Sequence, residues 1–420
     1  MTSTIAAWLP WDEDVGVVVA VHVLIYLGGA LAVLLQHMQG DEREKHRLPS
    51  LGAALFAACA LPGPYGLPKT ERVQRALTCF TSGFYFCRML QLSSPAATLR
   101  TPHTQPRSIF IKLSHTFLTF MDTTGTYGGP PPSRRERLRA VAQLSAAVLN
   151  AGIVALAGTM AAARLQAGSS DLEISSAVLM GGVCVLSGLT AFGDALCGVW
   201  MLAAGLRLPV LMRNPAMSLS LREFWGQRWN SVVQRALKDG VFLRVSRCGK
   251  GGSTKAWKRT AAAVTFMCSG LIHAYPVFVA HDCVIGRPVV WVLSYFLVQG
   301  LATFLQRACV CSGRRESSLG TRLMRRFITL CVVILPSPIL VAVMMTLPLA
   351  PGSERLRHVE ERLQSVAFAR TWVVLAACSA CWAAVGAEVL LWSGVSANFF
   401  HYREQREYYL SSLKPEQHEK

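Results

Sequence analysis

Residues 261–280, AAAVTFMCSGLIHAYPVFVA, carry no Asp, Glu, Lys or Arg. At about 1.5 Å per residue, a helix of this run is long enough to cross most of the ~30 Å hydrocarbon core of a bilayer. His273, slightly past its middle, is the only side chain in the run that titrates near neutral pH. An ionisable group at that depth is costly, so it marks either a functional site or a histidine satisfied by a neighbouring helix. Helical side chains lean toward the N-terminus, which sets the imidazole over the turn holding Ser269 and Gly270. Both are small, and the expectation is space for a ligand beside the ring.

The rest of the chain has the composition of a polytopic, all-α membrane protein. Of 420 residues, 52% are hydrophobic and 16% charged, with mean hydropathy +0.36; ordinary soluble domains carry about 25% charge. Eight or nine spans are expected, drawn at 15–38, 48–62, 76–92, 138–163, 174–206, 261–280, 289–310, 327–349 and 371–395. Those at 48–62 and 76–92 are short enough to be re-entrant, and 174–206 is long enough to tilt, to break near Gly193-Asp194 or to run on along the interface. Asp12, Glu13 and Asp14, with no Lys or Arg, precede the first run. That polarity is wrong for a cleaved signal peptide, so a retained anchor is expected. The expected organisation is an N-terminal membrane part over 1–137, a core over 138–400 and a cytosolic tail over 401–420.

Net charge is +18, unevenly placed. With the N-terminus outside, the loops on one side hold 30 Lys and Arg and those on the other hold 9, which puts the richer side in the cytosol. This excess suits an anionic leaflet and an anionic substrate, and no array of arginines and aromatics points to nucleic acid. The 13 cysteines are scattered, mostly in apolar stretches. Cys378-x-x-Cys381 has no second pair or histidine nearby and reads as two small apolar side chains, so neither a metal site nor a disulfide framework is expected. Loop 93–137 is proline-rich apart from a surface helix at 108–121. Segment 244–259 reads as a flexible basic loop in which the Gly-x4-Gly-Lys-Ser/Thr phosphate pattern fails.

A second stretch, RNPAMSLSLREFWGQRWN at 213–230, crowds aromatic and charged residues together. Pro215 ends any preceding helix, and Ser220-x-x-Glu223 has capping-box spacing, so a helix is expected to begin at Ser220. On a regular helix Leu221, Trp225 and Trp229 form one apolar stripe. Asn230 then lies one turn after Gly226, whose missing side chain leaves room for something narrow against the backbone. The alternative is an interfacial helix whose tryptophans rest at headgroup level.

Asn-Pro-x4-Ser-Leu-x-x-Phe-Trp-Gly-x-Arg-Trp-Asn, from Asn214 to Asn230, closely resembles the signature of the plant-type wax synthase branch of the membrane-bound O-acyltransferases. Ser-Gly-Leu-Ile-His-Ala-Tyr at 269–275 is similar to that family's histidine helix. The match is specific over 209–280. The resemblance implies a helical membrane fold with an internal reaction tunnel and a multi-pass location in the endoplasmic reticulum. It also implies transfer of an acyl group from acyl-CoA, a co-substrate with no further cofactor, to a lipophilic alcohol. Wax ester from a fatty alcohol heads the expectations; sterol, diacylglycerol and specialised-metabolite acceptors follow. In roles implied by the same resemblance, His273 is the catalytic histidine and Asn230 the motif asparagine.

The chemistry of these side chains agrees. Esterification needs a base near neutral pH to take the hydroxyl proton, and imidazole suits that task. An amide such as Asn230 can donate to the developing oxyanion, a contact worth about 3 kcal/mol at such sites. Trp225 and Trp229 either line an acyl path or brace the helix, while Arg222 and Arg228 either meet the phosphates of CoA or face solvent. Roles for Asp194, Glu388 and His22 stay open. A transporter using His273 in a proton relay is the rival from another class, although paired halves and several membrane acids are missing. For the enzyme, Asn230 and His273 must meet across a shared cavity.

Overall fold

The computed structural model describes residues 132–167, 170–205, 210–247, 254–281, 286–309, 319–346 and 370–393, with positions 75, 76, 78, 79, 82, 83 and 361. The expected spans at 15–38 and 48–62, most of 76–92, the surface helix at 108–121, His22 and the side chain of Glu388 lie outside them. Among the described residues all regular structure is helical. Four helical stretches are long and apolar enough to cross a membrane: Arg134–Arg164, Asp171–Ala203, Lys255–Ala280 and Arg287–Gln306. The chain is therefore a multi-pass, all-α membrane protein.

Local capping fixes where several helices start. Helix α1, Arg134–Ala167, begins at Ser133, whose Oγ accepts from the Glu136 amide while its own N–H donates to Glu136 Oε2 at 2.8 Å. Helix α2, Asp171–Ala204, uses the same device with Ser170 and Glu173, satisfying amides that the helix itself cannot. It ends at Gly205, which takes φ 67°, a conformation glycine reaches without steric cost. Of the alternatives open for this run, a break near Gly193-Asp194 does not occur, and α2 is continuous. Gly193 serves packing instead: a Cβ there would lie 2.5 Å from that of Leu211.

Other boundaries also depart from the sequence expectation. The basic stretch before Ala261 is partly helical. Thr254 caps helix α5, Lys255–Ala280, by accepting from the Trp257 amide. The run 327–349 divides at Leu335-Pro336 into helix α7, Leu319–Ile334, and helix α8, Ser337–Thr346, because Pro336 has no amide to continue the helical ladder. The remaining helices are α3, Ser231–Leu237, α4, Leu243–Arg247, α6, Arg287–Cys309, and α9, Arg370–Ser393.

The chain divides into two compact units. One comprises 130–234, 305–338 and 365–420. In it α1 and α2 form a hairpin, and α9 packs on α2 and α7. A 3₁₀ turn at Pro215–Met217 rests against α7 and α9. The other unit comprises 1–129, 235–304 and 339–364. There α5 receives α4 and the π-turn Lys238–Phe242, and it packs closely on α6.

Candidate active site

The signature stretch begins as its sequence indicates and then departs from a regular helix. Ser220 is the cap, with Oγ accepting from the Glu223 amide at 3.1 Å. The reciprocal arm of the box is displaced by one residue, since Glu223 Oε2 accepts from Leu219 N at 2.8 Å and not from Ser220. One α-turn, Leu221–Glu223, passes into a π-turn, Phe224–Arg228, closed by Trp229 N donating to Phe224 O at 2.8 Å. The extra residue in that turn rotates everything after it. The expected Leu221-Trp225-Trp229 stripe is replaced by an aromatic cluster. Trp229 stacks on Phe224 with centroids 5.4 Å apart, and Trp225 meets both rings edge-on.

These rings are the inner side of a packed core. Phe224 is buried with Leu330, Ala380 and Ala384, and half-buried Trp225 and Trp229 close over it with Phe327 and Ile334. Within this unit the two tryptophans brace the signature. Gly226 differs. A Cβ there would meet nothing within 4 Å, so the space beside its Cα is open.

Asn230 lies beyond the π-turn and outside any helix. Its φ is 39°, and Asn214, the other motif asparagine, has φ 50°. These are the only non-glycine residues with positive φ among those described. Asparagine tolerates this region better than most side chains do. Asn230 is the N-cap of α3, and its Oδ1 accepts from Val233 N at 3.2 Å. With the carbonyl oxygen so engaged, the amide offers Nδ2 as a donor.

Residues 210–213 run beside 228–231 and hold Asn230 from both sides. Arg213 N donates to Arg228 O and Ser231 N donates to Leu211 O, each at 2.8 Å, while Ser231 Oγ donates to Val210 O at 2.7 Å. Between them the Asn230 backbone N–H donates to Met212 Sδ at 3.3 Å. Arg228 is only 6% exposed. Its Nε donates to Glu223 Oε1 at 2.7 Å and its Nη1 to Arg213 O at 3.1 Å. Of the two arginines expected at CoA phosphates, Arg228 therefore has its guanidinium engaged inside the fold, and Arg222 is exposed.

His273 stands in the other unit, on α5. Its Nδ1 lies 2.8 Å from Ser269 O. A carbonyl only accepts, so in the neutral ring Nδ1 carries the proton and Nε2 the lone pair. Phe296 of α6 covers the imidazole at a centroid distance of 4.5 Å. Gly270 does not provide the ligand space expected of it on the α6 side. A Cβ there would lie 3.2 Å from Phe296 Cβ, so Gly270 is small because α6 packs against it. Gly300 of α6 makes the matching approach, its Cβ position 3.1 Å from Phe266. Ser269 contributes its backbone oxygen to the site. Residues 273 and 230 belong to different units. Asp194 is buried in α2.

A motif of this length invites comparison with whole families. Residues 208–297 match the membrane-bound O-acyltransferase family. The matched segment holds both Asn230 and His273, and the resemblance read from the motif is borne out there. Among curated relatives, "Probable long-chain-alcohol O-fatty-acyltransferase 8" of Arabidopsis thaliana is 30% identical over 105 residues, 25% of this chain and 30% of that relative. "Probable long-chain-alcohol O-fatty-acyltransferase 3" of the same plant is 32% identical over 106 residues, with the same coverage. "Long-chain-alcohol O-fatty-acyltransferase" of Simmondsia chinensis is 30% identical over 103 residues, 24% of this chain and 28% of the relative. The likeness thus spans less than a third of each relative's length.

Proposed function

We propose that this chain is a membrane O-acyltransferase that moves an acyl group from acyl-CoA to the hydroxyl of a lipophilic alcohol, foremost a long-chain fatty alcohol, in the endoplasmic reticulum. The observation that carries the proposal is the hydrogen bond from His273 Nδ1 to Ser269 O, which leaves Nε2 as the basic atom of a histidine inside a membrane-spanning helix. The names of the relatives, long-chain-alcohol O-fatty-acyltransferases, support the fatty alcohol.

In the proposed reaction Nε2 takes the alcohol proton as its oxygen attacks the thioester carbonyl. For the oxyanion that forms, the resemblance of the motif to the family's signature offers Asn230 as the amide donor. Collapse of the intermediate expels CoA thiolate, which recovers the proton from Nε2–H, so ester and free CoA leave and the imidazole is neutral again. No cofactor beyond the acyl donor is needed.

The test is ester formation by microsomes carrying the full chain, given labelled acyl-CoA and a panel of fatty alcohols, a sterol and diacylglycerol. Fatty alcohol is expected to be the best acceptor. His273→Ala should abolish ester at matched protein level, and Asn230→Gly, which preserves the left-handed backbone, should lose less. Ester that persists in His273→Ala would remove the assigned base; a sterol or diacylglycerol preference would change the acceptor class. Absence of ester with every acceptor, alongside His273-dependent proton flux in vesicles, would favour the transporter.

A further inference from the structure

We infer that Glu223, acting through Arg228, is a positioning residue that sets the amide of Asn230. The inference rests on the acyltransferase proposed above. Glu223 is the one acid in the signature, and both carboxylate oxygens are committed: Oε1 to Arg228 Nε at 2.7 Å and Oε2 to Leu219 N at 2.8 Å. Arg228 passes the constraint on at two points. Its Nη1 binds Arg213 O, and its own carbonyl receives Arg213 N. Three residues later Ser231 grips the same segment through Leu211 O and Val210 O. Asn230 lies between these two attachments, at φ 39°, with Oδ1 turned back onto the first turn of α3. These bonds fix the backbone and Oδ1 of Asn230, and with them the direction of Nδ2.

An ion pair with one partner buried and the other partly so is a weak source of net stability, because desolvation offsets much of the attraction. Arg228 and Glu223 could be replaced by apolar residues if packing were their whole purpose. An apolar pair could not hold Leu219 N, Arg213 O and a fixed register between 210–213 and 228–231 together. The pair fits a role in geometry, where a donor displaced by ~1 Å can cost on the order of 10²-fold in rate.

The test uses the full-length chain in membranes, with kcat and the KM for acyl-CoA measured separately. Glu223→Gln has a single acceptor oxygen and must release either Arg228 or Leu219. It is expected to lower kcat at least about tenfold with KM within about twofold, the signature of an interaction used in the transition state. In an Asn230→Gly background the same substitution should add less than about twofold, because residues acting as one unit are not additive. If that background forms no detectable ester, the split between kcat and KM in the single variant decides.

Arg228→Lys is the second variant, and it decides should Glu223→Gln fail to accumulate. Lysine keeps the charge but cannot reach Glu223 and Arg213 O as a fork, and the same kcat loss is expected. Wild-type kcat in either variant, a rise in KM alone, or full additivity with Asn230→Gly would overturn the positioning role. Full activity of Asn230→Gly itself would instead strike at the oxyanion assignment, a separate failure.

Discussion

His273 Nδ1 lies 2.8 Å from the backbone oxygen of Ser269, one turn earlier on the same helix. The bond lies within α5, and it fixes both the tautomer and the rotation of the ring. A purely structural histidine in this position would need only that N–H. His273→Asn can still offer an N–H near Ser269 O but supplies no base. The expected result is ester formation reduced on the order of 10²-fold or more in His273→Asn and His273→Ala alike, with normal protein in the membrane. Activity retained by asparagine but lost by alanine would assign His273 to structure alone.

The two motif glycines should respond oppositely to alanine. Gly270→Ala pushes a methyl to 3.2 Å from Phe296 Cβ, an atom next to backbone that cannot swing aside. Either α5 and α6 separate slightly or Phe296 moves off the imidazole. A stability loss of about 1–3 kcal/mol is expected from overpacking, with lower kcat. Gly226→Ala meets nothing within 4 Å, and alanine suits a helical backbone better than glycine. Its melting temperature in detergent should equal or exceed that of the wild type. A raised KM for acyl-CoA in that well-folded variant would place the donor over Gly226; an unchanged KM removes Gly226 from the binding path.

The difference between these glycines shows what could be read in advance. Ser220 was legible as a helix start because a cap is a local bond, made by residues three apart. His273 was legible because an ionisable group in an apolar run is conspicuous wherever the helix packs. The π-turn at Phe224–Arg228 was not, since one residue inserted into a 3.6-residue period leaves no compositional trace. Pairing of 210–213 with 228–231 was hidden for a related reason: main-chain bonds carry no side-chain signal. Gly193 looked like a break point because the neighbour it admits, Leu211, lies 18 residues away in sequence.

Trp229 should act through the core more than through substrate. It stacks on Phe224 and closes over Leu330, Ala380 and Ala384. Trp229→Ala removes most of a half-buried ring and is expected to cost about 2–3 kcal/mol, somewhat below the ~3–5 kcal/mol of a full core aromatic. Trp229→Phe keeps a ring on Phe224 and should recover most of that stability. Acyl chain-length preference, measured with a series of acyl-CoAs, is expected to be the same in Trp229→Phe and wild type. A shifted optimum in a stable Trp229→Phe protein would return Trp229 to the acyl path.

Arg222 and Arg228, six residues apart in the same motif, should separate cleanly under charge reversal. Arg222 is exposed, so Arg222→Glu leaves the fold intact. If Arg222 meets the phosphates of CoA, reversal raises the KM for acyl-CoA several-fold, and that effect fades as added salt screens exposed charge within about 10 Å at 0.1 M. Arg228→Glu instead places two carboxylates where a partly buried ion pair stood. Leaving Glu223 without its partner costs less than the ~3–5 kcal/mol of a fully buried pair, yet a lower melting temperature is expected, with less dependence on salt than at Arg222. Thermal melting in detergent and acyl-CoA titration at two ionic strengths distinguish the two behaviours. A salt-independent, unchanged KM in Arg222→Glu would leave the signature's exposed arginine without a part in donor binding.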